Sequence, residues 1–171
     1  GSLRRQDIQV QLCGDGANAN LCGAAMAPQR GNLDQQVTME HLSANTTSQQ
    51  TFHNIVADRG KSTFNGRIHI HAGARNSNAN LSNKNIGLGA NATINTKPEL
   101  EIYNDDVSCS HGATIGQLDN DQLFYLCSRG VDPNAARQLL CEGFLQQCVG
   151  GPLADSATAG LLEPLQGLSI Q

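Results

Sequence analysis

A chain of 171 residues is long enough for one domain with a real core plus a small appended unit, and too short for several. Its net charge of −4, with the Lys and Arg residues scattered, argues against nucleic acid as the main partner. No apolar run approaches a bilayer span, and Leu3-Arg4-Arg5-Gln6-Asp7 has no apolar stretch behind it, so neither a membrane segment nor a secretory signal is expected in these residues.

Charged residues make up only 15% of the chain, Trp is absent, and Gly occurs 18 times. That balance disfavours a helical bundle and suits many tight turns, where Asn and Gly tolerate positive φ. Gly1-Ser2 reads as an expression scar outside the fold. Six cysteines allow three disulfides in a secreted protein or reduced thiols in a cytosol or plastid. The chain is large enough to fold without staples, so reduced thiols are expected. The sequons at Asn45, Asn80 and Asn91 are ordinary in a sequence this rich in Asn, Ser and Thr.

From residue 3 to residue 116 the chain reads as strand after strand. Asp7 to Cys13, Gln36 to Leu42 and Phe64 to His71 alternate apolar and polar residues, the period of a half-buried strand. Ala19 to Gly23 follows the turn Gly14-Asp15-Gly16. Later units are shorter: Ala79 to Leu81, Ile86 to Leu88, Ala92 to Ile94, Leu100 to Tyr103 and Val107 to Cys109. Units this short cannot each bury a face in an ordinary sandwich. As rungs of a parallel β-helix they can, because each covers its neighbour's apolar side, and Asn residues at the turns can stack in ladders. A jelly roll is the competing architecture. The predicted fold is mainly β, a right-handed parallel β-helix over residues 3–116, followed by a small helical domain over residues 117–171.

Asp119 or Asn120 caps a helix through Leu123, Phe124, Leu126 and Cys127, which Gly130 ends. Asp132 caps a second helix with Pro133 at its first position. Ala136, Leu140, Phe144 and Cys148 form one face, widened by Leu139, Leu145 and Val149, and Gly150-Gly151-Pro152 stops it. A weaker third helix is placed over Ala154 to Leu162. Two roles are open for such a unit: covering the end of the stack, and docking a partner.

Walker, dinucleotide, zincin and nucleophile-elbow signatures are missing, as is any CxxC pair. Asp105-Asp106 is the one adjacent acid pair. It leaves a polysaccharide lyase or hydrolase as a rival reading, although turn chemistry explains it. The segment Val107 to Thr114 stands out. Cys109 and His111 are two apart on a strand, hence on one face. Together they can share a soft metal such as iron, or the imidazole can lower the thiol pKa and make it a sulfur acceptor. A buried Cys beside a hydrogen-bonded His is the structural alternative. His69 and His71 have the same spacing and read as polar side chains on an exposed face. Cys13, Cys22, Cys127, Cys141 and Cys148 read as small core residues.

Thr96 to Tyr103, Asp105-Asp106-Val107, Cys109 to Thr114, Gly116 to Asp119 and Asp121 to Gly130 together resemble the C-terminal signature of the SufB/SufD family, with Phe64-Asn65-Gly66-Arg67-Ile68 fitting upstream. His111-Gly112-Ala113-Thr114, in place of His-Glu-Ala-Thr, resembles the SufD branch rather than the SufB branch. The resemblance implies a non-enzymatic scaffold subunit of iron–sulfur cluster assembly, cytoplasmic or in the plastid stroma. It implies pairing with SufB through the β-helix and with the ATPase SufC through the C-terminal helices. Cys109 and His111 would then sit at the SufB interface and hold a transient iron–sulfur cluster, iron or sulfide, with no tightly bound cofactor. Arg137, Leu140, Phe144, Leu145 and Cys148 would contact SufC. Family members are longer, with an N-terminal helical region, so the chain is expected to be a fragment. A homodimer of an isolated β-helix through its edge strands remains a third reading.

Overall fold

The computed structural model describes residues 2–148. The expected third helix over Ala154 to Leu162 and the stop at Gly150-Gly151-Pro152 lie outside the described residues. Eight strands run in chain order: β1 (Leu3–Leu12), β2 (Asn18–Ala27), β3 (Asn32–His41), β4 (Thr47–Val56), β5 (Lys61–Ile70), β6 (Ser77–Gly87), β7 (Thr93–Ile102) and β8 (Val107–Gly116). They form two four-stranded parallel sheets, β1-β3-β5-β7 and β2-β4-β6-β8. Each turn of the coil contributes one strand to each sheet, so the chain is a β-helix of four turns and the jelly roll is ruled out. Leu3 pairs Asn32, Asn32 pairs Lys61 and Lys61 pairs Thr93, offsets of 29, 29 and 32 residues.

The strands are longer than the sequence pattern suggests. β6 joins Ala79–Leu81 to Ile86, and β7 joins Ile94 to Leu100, each 10 or 11 residues long. β4 went unpredicted. Pro98 is tolerated in β7 because that strand is the outer one of its sheet.

The core lies between the sheets. Val37, Met39, Ile68 and Ile70 from the first sheet meet Phe52, Ala79 and Leu81 from the second. Phe52 and Phe64 pack at 5.0 Å, tilted by 49°. A Cβ at Gly23 would lie 2.5 Å from the Phe52 ring, and one at Gly66 would lie 2.7 Å from the Phe64 ring. The Phe-x-Gly-x-Ile pattern at Phe64 thus has a physical cause: glycine leaves the space the aromatic ring fills.

The expected Asn ladder exists at one corner. Asn76 donates to Asn45 Oδ1 and Asn45 donates to Asp15 Oδ1, both at 2.7 Å, and both Asn residues have positive φ. Polar groups also enter the interior. Fully buried His41 bonds Thr46 Oγ1 at 2.8 Å and Ser48 Oγ at 2.9 Å. Burial pushes its pKa down to about 4. The unfolded chain therefore binds this proton more tightly, so stability is full above the unfolded value near 6.5 and falls as pH drops from there toward 4. The loss is expected to reach roughly 3 kcal/mol. His41→Gln should flatten that part of the pH profile in chemical denaturation.

Two helices follow: α1 (Asn120–Ser128) and α2 (Pro133–Gln146). Asp119 accepts from the backbone N–H of Asp121 and Gln122, and Asp132 from those of Asn134 and Ala135. Gly130, at φ 88°, turns the chain between them. α2 does not cover the open end of the stack. It lies across the outer face of the second sheet, where Cys141 and Leu145 bury Met26, Ile55 and Ala57 with Ile86 alongside. Those outward positions are apolar, so burying them on the helix outweighs any cap the helix would form at the end of the coil.

Candidate functional site

β8 is the outer strand of its sheet, paired on one side only. Cys109 sits opposite Ala79 and His111 opposite Leu81, both fully buried residues of the inner face. The two-residue spacing therefore puts both side chains in the inward-facing row of the last rung, where no further rung among the described residues covers them. Cys109 is half-buried against the core, while His111 is exposed. In the same row Ile115 is 58% exposed, and Ile102 at the end of β7 is 44% exposed. The end of the coil is an apolar face with a thiol and an imidazole set into it.

Burial pushes the Cys109 thiol up, partly opposed by a hydrogen bond with the Ala79 backbone. The expected lowering of this pKa by His111 does not occur, because the desolvated side of the thiol faces apolar Ala79 and the core. Cys109 is thus a protonated soft donor that a bound metal would have to deprotonate. Asp105 and Asp106 lie in the turn between β7 and β8, where the Asp106 N–H donates to Asn104 Oδ1 at 2.9 Å. That is turn chemistry, as expected.

The helical candidates divide by burial. Leu145 and Cys148 are 0% and 3% exposed. Cys148 points its thiol at the Gly23 and Thr51 carbonyls, at 3.1 and 3.2 Å. Phe144 stacks on His53 at 4.6 Å, and its carbonyl accepts from His53 Nδ1 at 2.7 Å. Leu145 and Cys148 are thus inaccessible to a partner, because the outer face of the second sheet already occupies them. Arg137 and Leu140 are half-buried. Exposed instead are Phe124 at 75%, Tyr125 at 57% and Leu139 at 49%. A groove between the helices is lined by Gln122, Tyr125, Leu126 and Leu140.

All six cysteines are free thiols. Cys141 and Cys148 are buried as expected, and burial pushes Cys141 up to about 12. Cys13 and Cys22 are exposed rather than core residues, because Cys13 lies past the end of β1 and Cys22 faces outward from β2. His69 and His71 are half-buried rather than exposed and lie beside Glu40, a grouping the linear pattern does not reveal.

The family described as "SUF system FeS cluster assembly, SufBD core domain" matches residues 1–144, the whole β-helix and nearly all of α2. The chain belongs to the SufBD family. The iron–sulfur cluster assembly protein SufD of Escherichia coli strain K12 is 37% identical over 144 residues, 84% of this chain and 34% of that protein. The chloroplastic protein ABCI7 of Arabidopsis thaliana is 35% identical over 147 residues, covering 84% and 30%. SufB of Bacillus subtilis strain 168 is 31% identical over 135 residues, covering 79% and 29%. The SufBD chain spans about a third of the length of these relatives and is SufD-like in sequence. No helix among its described residues is long and apolar enough to cross a membrane.

Proposed function

We propose that this SufBD chain is a scaffold without turnover of its own, acting in iron–sulfur cluster assembly in a cytoplasm or plastid stroma. Its uncovered β7–β8 end pairs with the β-helix of a SufB subunit, and its helices dock the ATPase SufC. The reading rests on the last rung: inward-row residues Cys109, His111 and Ile115 lie at an edge with unpaired backbone groups, which a second coil would continue. Cys109 and His111 would then face the seam and hold iron or sulfide in passing, with no cofactor retained. SufC would meet the exposed surface of Phe124, Tyr125 and Leu139, with Arg137, Leu140 and Phe144 at its margin, rather than the buried Leu145 and Cys148.

His111→Ala is expected to leave melting unchanged while slowing cluster formation in the full complex by roughly tenfold or more. The assay is reconstitution of a cluster with SufB and SufC present. Normal assembly by the variant would remove the metal role of His111 but not the pairing. Light scattering of the chain alone separates specific pairing from self-association through the same edge.

A further inference from the structure

We propose that Glu40, His69 and His71 form a binding site for a divalent transition metal on the outer face of the first sheet. One donor atom from each lies within 4.8 Å of the other two. The parallel coil produces this directly. Glu40 of β3 sits opposite His69 of β5, and His69 sits opposite Glu101 of β7. Neighbouring strands are about 4.8 Å apart, so outward side chains at one register stand within reach of a shared ion. His71 follows two residues after His69, and the two rings stack at 4.0 Å, inclined by 13°. Lone pairs in two near-parallel ring planes do not converge, so one imidazole rotates out of the stack when both bind one ion.

The surroundings gather these groups at one end of the sheet. Gln11 Nε2 donates to Glu40 Oε2 at 2.6 Å, orienting the carboxylate from the strand below. Arg67 is paired with Glu101 at 2.6 Å and contacts His69 Nδ1 at 3.3 Å, while Tyr103 packs against His69 at 5.3 Å. His71 Nε2 is buried and has no hydrogen-bond partner among the described residues, which leaves a ring nitrogen available to a ligand. Two carboxylates against one guanidinium leave the cluster net negative, which favours a cation. Burial holds His69 below the ordinary imidazole range, reinforced by His71 and Arg67 and opposed by Glu101 and Glu40. Glu101 approaches His69 Nδ1 at 3.9 Å. Two imidazoles and one carboxylate suit Zn²⁺, Fe²⁺ or Co²⁺, whereas Mg²⁺ and Ca²⁺ prefer oxygen alone.

The test is anaerobic titration of the full chain with Co²⁺, read by visible absorption and calorimetry, followed by displacement with Zn²⁺ or Fe²⁺ and a Mg²⁺ control. The expected result is one equivalent with a nitrogen and oxygen spectrum, free of the sulfur charge-transfer band that thiolate ligation produces. H69Q and H71Q should each weaken binding by roughly tenfold or more, and E40Q should do so with the least disturbance to the sheet. Circular dichroism confirms folding of each variant. The metal should raise the melting temperature of the parent chain and not that of H71Q. C109S and H111Q should bind as the parent does. The proposal is overturned by no binding, by affinity unchanged in folded E40Q and H71Q, or by a sulfur-type spectrum that C109S removes.

Discussion

Phe52→Ala is expected to cost the fold about 3–5 kcal/mol, among the largest losses expected from a single truncation of a described residue. Phe52 is 1% exposed and lies against Phe64 inside the coil. Its ring occupies the space over Gly23, so its removal opens a cavity lined partly by a glycine that has no side chain to refill it. β4 is an inner strand with β2 on one side and β6 on the other, so collapse around the void would disturb both ladders. Urea denaturation should show a lower midpoint with little change in slope. Leu139→Ala, at a position 49% exposed, should cost less than about 0.5 kcal/mol. Equal effects for the two substitutions would mean that the aromatic pair is not the centre of the core.

Ile115→Asp is expected to weaken SufB pairing by about a hundredfold or more while leaving the melting temperature nearly unchanged. The two halves of that prediction follow from one position. Ile115 belongs to the inward-facing row, opposite buried Asn85, yet it is more than half exposed because β8 is the outer strand of its sheet. In the free chain an Asp at this position stays in water and costs the fold little. If the coil continues into a partner, the same carboxylate must be desolvated without a counterion, and a truncated apolar anchor and an unpaired charge both penalise the interface. Calorimetric titration with purified SufB measures the loss directly. Unchanged affinity would place the pairing surface elsewhere on the molecule.

The alternation in Gln36 to Leu42 and Phe64 to His71 is enough to predict β3 and β5, because inward positions there are mostly apolar and outward ones polar. β4 escapes the same reading for two physical reasons. Its inward row includes Ser48, Gln50 and Asn54, all buried and polar, and its outward row includes His53 and Ile55, which α2 covers. With both faces buried near one end, period-two patterning disappears. β6 is obscured by its asparagines. Asn83 and Asn85 look like turn residues but lie inside the coil, where Asn85 donates to Asn83 Oδ1 at 2.7 Å and Asn54 donates to Asn85 at 3.2 Å.

The helix caps at Asp119 and Asp132 are legible because capping is local. The destination of α2 is not, since it depends on an apolar patch assembled from Met26, Ile55 and Ile86, three strands that only the coil brings together. The same limit applies to the candidate sites. The Cys109 and His111 pair is visible as a spacing of two along one strand. The grouping of Glu40 with His69 requires the 29-residue turn, which becomes apparent only once the rungs are in register.

Hydrogen–deuterium exchange of the chain, alone and bound to SufB, tests the edge-pairing reading most directly. β8 amides that point away from β6 have no ladder partner in the free chain and should exchange quickly. Binding should protect Val107 to Gly116 and the end of β7 around Ile102, while β1 and β2 remain as in the free chain. Protection confined to β1 and β2, or to the helices, with β8 still exchanging freely in a saturated complex, would contradict it.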